Sequence, residues 1–270
     1  MREKILTHYA SRFYTDYKTM KNYPLPQALK ITAINSENAT TKTFVLDGAL
    51  EATPGQFVMA WLPGLDEKPF SLANADPVGL TIAAVGPFSR AVHQLMVGDL
   101  LWIRGPLGRG FRLPQESRQK LLLVGGGYGV APMLFLAQSA LETGHHVMMI
   151  IGAKRKADLI LADAFRELDV LLYLTTEDGS AGMRGRVTDA MRLIFADTPA
   201  RPGIVYACGP TAMLEAIAHV CQTEHIPYQL AWEAYMRCGI GLCGSCEVGD
   251  GWLTCLDGPV FEVNPVEALP

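Results

Sequence analysis

Residues 120–129 read Lys120-Leu121-Leu122-Leu123-Val124-Gly125-Gly126-Gly127-Tyr128-Gly129. A continuous apolar run of this kind is the pattern of a strand buried on both faces of a parallel sheet. A glycine turn follows. Val130 to Gly144 is predicted as a helix, with Pro132 near its first turn and Gly144 as its stop. Strand, glycine turn and helix in this order let backbone amides approach a dinucleotide pyrophosphate with no side chain in the way. The glycines do not follow a strict G-x-G-x-x-G, so this turn does not specify a ligand by itself.

Downstream, the alternation repeats. His146 to Ile151, Val170 to Thr175 and Gly203 to Ala207 read as strands. Ala157 to Leu168, Val187 to Phe195 and Thr211 to His225 read as helices. The expectation is a doubly wound α/β domain over residues 115–227. Open parallel sheets bind ligands at the carboxyl ends of their strands. That rim holds Gly125, Gly126, Gly127 and Gly129, the stretch from Thr175 to Ser180, and Cys208-Gly209-Pro210. Cys208 is either a small strand-end residue or a reactive thiol. Cys221, inside a predicted helix, is read as core. Lys154-Arg155-Lys156 lies beyond the second strand, where a 2′-phosphate would want basic residues; a solvated loop is the other reading. The six histidines share no metal-ligand spacing, so none is assigned to chemistry.

Upstream, the period is two. Leu29 to Ile34, Thr41 to Leu46, Pro54 to Trp61 (a turn followed by a strand), Lys68 to Leu72, Leu80 to Val85 and Leu100 to Pro106 read as short strands between Gly, Pro and Asp turns. They suggest a small antiparallel barrel over residues 28–114. Ser89 is expected to cap a short helix reaching Met96. Two turns there could carry chemistry. Lys68-Pro69-Phe70-Ser71 offers a cation, a fixed backbone and a hydroxyl. Gly86-Pro87-Phe88-Ser89 precedes helix amides that could receive a phosphate. Residues 1–27 are an extension in which His8, Tyr9, Phe13, Tyr14 and Tyr17 could share a helix face before Pro24 and Pro26 end it.

Residues 228–270 form a third unit. Tyr228 to Trp232 is one more strand, and Cys238, Cys243, Cys246 and Cys255 follow in the spacing C-x4-C-x2-C-x8-C. Four thiolates are the usual ligands of a 2Fe–2S cluster, and C-x4-C-x2-C is the plant-type ferredoxin spacing. Glycines at 239, 241 and 244 let amides point inward at cluster sulfurs. Zinc favours paired C-x2-C knuckles, and only one is present. A disulfide framework would be out of place without a secretory leader. Zinc and structural cysteines stand as the alternatives. A cluster of this type passes electrons singly, so something must feed it. Ile240 and Leu242 beside it are core or docking surface.

The bulk numbers limit the function classes. A net charge of −4 and a pI near 5.9 give no reason to expect nucleic acid. No run of eighteen apolar residues suggests a membrane span, and the N-terminus lacks the apolar core of a secretory signal. A cytoplasmic, reducing setting is expected.

Barrel, nucleotide domain and cysteine module in this order resemble the ferredoxin–NADP reductase superfamily. More closely, they resemble the electron-transfer subunits of class 1B dihydroorotate dehydrogenases. The resemblance covers about residues 28–262. It rests on KPFS (68–71), VGPFS (85–89), GPLGRGF (105–111), GGGYGVAP (125–132), TEDGSAGMRGRVTD (176–189), CGP (208–210), MRCGIGLCGSC (236–246) and TCLDGPVF (254–261). It implies FAD, one 2Fe–2S cluster and a nicotinamide coenzyme, NAD(H) by family analogy with NADP(H) open. By similarity, Lys68, Pro69, Phe70 and Ser71 fall on the flavin motif R-P-x-S. Thr81, Ile82 and Ala83 fall on the next flavin-contacting strand, and Phe88 and Ser89 on the phosphate turn. The glycine turn and Cys208-Gly209-Pro210 map onto the nicotinamide site, and the four cysteines onto the cluster ligands. Lys68 stands where Arg is usual, Ile82-Ala83 where an aromatic and a base are usual, and Pro87-Phe88 where a Lys-Gly or similar pair is usual.

The resemblance also implies a partner, an FMN-containing catalytic subunit, with two copies of each chain in a heterotetramer. The rival readings are the flavin subunit of a hydrogenase or of an NAD(P)H–ferredoxin oxidoreductase, and a non-catalytic metal-binding scaffold.

Overall fold

The structure is a computed structural model that describes residues 24–197, 199, 201–249 and 251–263. The aromatic face expected between His8 and Tyr17 lies outside the described residues.

Six strands form a closed antiparallel barrel: β1 (Gln27–Ser36), β2 (Thr41–Leu46), β3 (Phe57–Leu62), β4 (Asp66–Ala75), β5 (Val78–Ala83) and β6 (Leu100–Leu107). Their order around the barrel is β1-β2-β5-β4-β3-β6. Closure leaves no sheet edge exposed. Inward residues such as Ile31, Phe44, Val58, Leu80, Leu101 and Ile103 fill the interior. One short helix, α1 (Pro87–Val92), bridges β5 and β6. Ser89 does not cap it. Gly86 is the N-cap and Pro87 the first helical residue, because proline has the helical φ and no amide to leave unpaired. Ser89, one turn in, accepts the Gly86 amide on its Oγ at 3.0 Å.

The second domain is a seven-stranded sheet with helices on both faces. Its elements in chain order are β7 (Lys120–Gly126), α2 (Val130–Glu142), β8 (His146–Ala153), α3 (Ala162–Arg166), β9 (Val170–Thr176), β10 (Met183–Arg184), α4 (Val187–Ala196), β11 (Ile204–Cys208), α5 (Thr211–Thr223) and β12 (Tyr228–Ala231). Leu121 and Leu123 of β7 pack with α2, while Leu122 and Val124 pack with α4 and α5. Burial on both faces is why this strand reads as an unbroken apolar run. Phe135 of α2 enters the barrel core, which ties the two domains together.

The helix expected from Ala157 to Leu168 is shorter. A 3-10 turn covers Lys156–Asp158, and α3 begins only at Ala162. Between them the chain dips so that Ile160 and Leu161 join the core, and Leu161 adopts a left-handed φ of 58°. Its amide donates to Glu37 of the barrel at 3.2 Å. Burial and a contact across domains override helix propensity here.

The cysteine segment departs from a free-standing unit. β13 (Glu247–Val248) and β14 (Trp252–Leu253) make a small hairpin, and β15 (Val260–Val263) returns to the large sheet. The sheet order is β10-β9-β8-β7-β11-β12-β15, parallel except for β15. Thus β12 and β15, both from residue 228 onward, pair within the nucleotide sheet, and the cysteines occupy the excursion between them. Trp232 closes that excursion by donating its amide to the Pro259 carbonyl at 2.9 Å.

Candidate functional site

The strand order reverses between β7 and β11, since β8 lies on one side of β7 and β11 on the other. The crevice at such a switch point is where open α/β sheets hold ligands. Here the barrel wall completes it. A cleft of about 250 Å3 is lined by Phe57, Pro69, Phe70, Ser71, Thr81, Ala83 and Val85 from the barrel side. Tyr128, Gly129, Ala131, Pro132 and Cys208 line it from the sheet, and Trp232, Glu233, Ala234, Met236 and Pro259 from the excursion.

Apolar walls with a few converging polar groups suit a planar ring system. Pro69, Phe70 and Ser71 face the cleft, as do Thr81 and Ala83. Ile82 between them turns into the barrel core, as period-two alternation requires, and its carbonyl meets His93 Nε2 at 2.7 Å. Lys68 lies outside the lining and pairs with Asp66 at 2.6 Å. Phe88 is buried behind Phe70, the rings stacked at 6.0 Å between centroids. Ser89 is engaged with Gly86.

On the sheet side, Gly129 and Cys208 reach the cleft. Gly125 and Gly126 end β7, and Gly127, Gly209 and Pro210 lie in the two turns that follow β7 and β11, all outside the lining. These turns are packed backbone to backbone: a β-carbon on Gly129 would overlap the Cys208 carbonyl and come within 2.6 Å of the Gly209 nitrogen. Burial, and then the Glu233 charge, push the Cys208 thiol far up. Glu233 is itself raised by burial, an effect opposed by the Tyr128 hydroxyl, which donates to Oε2 at 3.3 Å. Burial and the Glu233 charge also raise Tyr128.

The four cysteines approach one another beside this cleft. Cys246 and Cys255 are buried with their sulfurs 3.3 Å apart, beyond the roughly 2.05 Å of a disulfide. At that distance the first ionisation of the pair is favoured and the second opposed. Cys243 is exposed and pulled down to about 6, chiefly by the Ser245 hydroxyl at 3.0 Å, with Cys238 among its other hydrogen-bond partners. The sulfurs thus fall into two pairs, 246 with 255 and 243 with 238. Among the described residues, no three His, Cys, Asp or Glu side chains converge as one metal ion would need. Two pairs of thiolates are what a two-iron group takes, one pair per iron. Backbone amides already aim at sulfur: Ile240 and Leu242 at Cys238, both 3.4 Å, and Gly241 at Cys255, 3.1 Å. Such donors stabilise the anionic sulfur. The donor set fits an iron–sulfur group.

Residues 123–219 match the family described as the oxidoreductase NAD-binding domain. Residues 233–267 match the iron–sulfur cluster binding domain of dihydroorotate dehydrogenase B. The probable dihydroorotate dehydrogenase B (NAD+) electron transfer subunit of Methanocaldococcus jannaschii is 37% identical over 237 residues, covering 87% of this chain and 89% of that one. Its counterpart in Thermococcus kodakarensis is 43% identical over 228 residues, covering 84% and 92%. The chain belongs to this family of electron-transfer subunits.

Membership makes it an electron-transfer component of an NAD(H)-linked oxidoreductase. The solved structure of an NADH-dependent reduced ferredoxin–NADP oxidoreductase, described for flavin-based electron bifurcation, superposes with a TM-score of 0.78 at 30% identity, covering 87% of each chain. A ferredoxin reductase of carbazole 1,9a-dioxygenase shares the fold, with a TM-score of 0.65 at 20% identity over 75% of this chain and 67% of that one.

Several cleft residues carry weak sequence signals. Glu233 lies two residues past the last parallel strand, on the rim where ligands bind, and that position could have flagged it. Tyr128 interrupts the glycine turn. Phe57 and Met236 have no local signal, because their role arises where β3 meets the cysteine excursion.

Proposed function

We propose that this subunit carries electrons between NAD(H) and a partner catalytic subunit by way of FAD in the cleft and a 2Fe–2S cluster on Cys238, Cys243, Cys246 and Cys255. One observation carries the reading. Phe57 and Met236 line the cleft and also pack in the apolar cluster that surrounds Cys246 and Cys255. A single wall therefore separates the two sites, which suits transfer between them. When bound, FAD would exchange a hydride with the nicotinamide and the cluster would relay single electrons.

The chain's own task is placement. Pro69, Phe70 and Ser71 would hold one face of the flavin, with the Ser71 and Thr81 hydroxyls as its polar contacts. Gly129 and the Cys208 turn would receive the nicotinamide side of the coenzyme. Phe57, Trp232 and Met236 would keep water from the wall between the sites. Glu233, held by Tyr128, would present a carboxylate at the cleft mouth. The proposed coenzyme is NADH, in keeping with the NAD+ in the names of the relatives; Arg155 of the basic trio pairs with Asp158 at 3.1 Å on the surface.

The proposed partner is the FMN-containing dihydroorotate dehydrogenase subunit, in a heterotetramer with two of each chain. The names of the relatives support this partner. The similarity to the ferredoxin–NADP oxidoreductase favours a second reading, with ferredoxin as the partner. The setting proposed is cytoplasmic, in keeping with four thiolates kept for iron.

An absorption spectrum of the anaerobically purified protein, followed by NADH titration, tests the core of this. Flavin and iron–sulfur bands that bleach with NADH are expected. Colourless, iron-free protein after reconstitution would overturn it. Co-purification, followed by dihydroorotate- and ferredoxin-linked assays, separates the two partners.

A further inference from the structure

Arg104 lies on β6, and its guanidinium makes contacts on two sides. Nε and Nη2 donate to the two Glu67 oxygens at 3.0 and 2.9 Å, a bidentate pair. Nη2 also donates to the Cys238 carbonyl at 2.9 Å. The two side chains are only 14% and 25% exposed, so solvent screens the pair weakly. One planar group thus joins β6, β4 and the first cysteine of the loop.

The loop is seated on the barrel at the same place. Gly239 has a φ of 69°, and a β-carbon there would lie 3.0 Å from Met59 Cγ and 3.3 Å from Leu107 Cδ1. The Cys238 carbonyl and the Gly239 amide share one rigid peptide plane. Holding that carbonyl fixes how the chain enters the loop, and so how the Ile240 and Leu242 amides come to face the Cys238 sulfur.

We propose that Arg104, with Glu67 as its counter-charge, is a positioning residue for the iron–sulfur group: it pins the Cys238 end of the loop to the barrel and biases the charge the group can hold. The inference rests on the cluster reading above. It goes further by assigning the control to two barrel side chains that are not ligands.

Charge and geometry separate in the variants. Arg104→Gln removes the cation and leaves Glu67 half-buried and unpaired, which disfavours added negative charge nearby. Glu67→Gln leaves the cation uncompensated and favours it. Arg104→Lys keeps the charge but loses the planar fork that reaches both partners.

The experiment is an anaerobic redox titration of the holo-subunit, followed by the electron paramagnetic resonance of the reduced cluster, with the rate of iron release to a chelator measured alongside. Flavin content and unfolding midpoint check each variant. The midpoint potential is expected to fall in Arg104→Gln and to rise in Glu67→Gln. Iron release is expected to quicken several-fold in Arg104→Lys. Should Arg104→Gln not fold, the other two variants still decide. Unshifted potentials, or shifts of the same sign in both charge variants, with unchanged iron release, would overturn the proposal. Iron-free unmutated protein would overturn the cluster reading itself, a distinct result.

Discussion

Tyr128 and Glu233 meet across the mouth of the cleft, the phenol donating to a carboxylate oxygen at 3.3 Å. One comes from the glycine turn of the sheet and the other from the segment leading to the cysteines, so the bond spans the entrance of the cleft. Cys208 is the third titratable group facing this point.

Tyr128→Phe should move the pH profile in a defined direction. Burial raises Glu233, and the phenol's donation lowers it. Removing the donor leaves burial less opposed, so Glu233 should protonate at higher pH. The acid limb of NADH-driven flavin reduction is then expected to shift upward in pH, with little change on the alkaline side. Stopped-flow rates across pH check this. An unmoved acid limb would mean that Glu233 has no part in the step.

Glu233→Gln should stabilise the fold above the acid range. The carboxylate binds its proton more tightly folded than unfolded, because burial raises it. Its stability contribution is therefore full below the unfolded value and is lost as pH rises through the folded one. The neutral amide carries no such loss. The difference in unfolding midpoint between variant and parent should grow from acid to neutral pH. A constant difference would point to packing instead.

Gly129→Ala tests the joint between the two turns. A β-carbon there has no room against the Cys208 carbonyl and the Gly209 nitrogen, both backbone atoms. Overpacking of this kind costs about 1–3 kcal/mol. Lower thermal stability and weaker NADH binding are expected together. Gly203→Ala is the control, since an added β-carbon at this exposed bend meets nothing closer than the Gln119 side chain at 3.4 Å. Its change should stay within about 0.5 kcal/mol.

Much of this architecture is legible in the residues, and the gaps have physical causes. The apolar run at Leu121–Val124 announces a doubly covered strand because each of its residues is buried. The cysteine spacing is local, so it can be read without a fold. Thr81 and Ala83 on one face with Ile82 on the other follow from strand alternation alone. The short α3 does not follow from its sequence, since the dip at Ile160 and Leu161 exists to fill a core made by distant segments. Arg104 is equally opaque: its partners are 37 and 134 residues away. Glu67, Met59 and Leu107 gain their roles only when the cysteine excursion lands on the barrel.

The shared wall makes a kinetic prediction. Phe57 is 2% exposed, and truncation to alanine should cost on the order of 3–5 kcal/mol, enough to confuse transfer with unfolding. Phe57→Leu is the better variant, since it keeps the wall apolar and the fold intact. Flavin bleaching by NADH should keep its rate, while the later reduction of the cluster absorbance slows. Equal slowing of both phases would count against this wall as the route.

Cys243→Ser separates the two halves of the subunit. Cys243 is the exposed member of the four, and its neighbours Ser245 and Cys238 hold its thiol low, ready to act as a thiolate ligand. Serine keeps the shape of the loop but supplies a hydroxyl that stays protonated at neutral pH. The iron–sulfur spectrum and electron delivery to the partner subunit should both be lost. The cleft uses none of the four cysteines, so flavin reduction by NADH should persist. Parallel measurements of iron content, flavin bleaching and partner reduction decide the matter. Loss of flavin reduction in a folded variant would mean that the cysteine excursion shapes the cleft as well as bounding it.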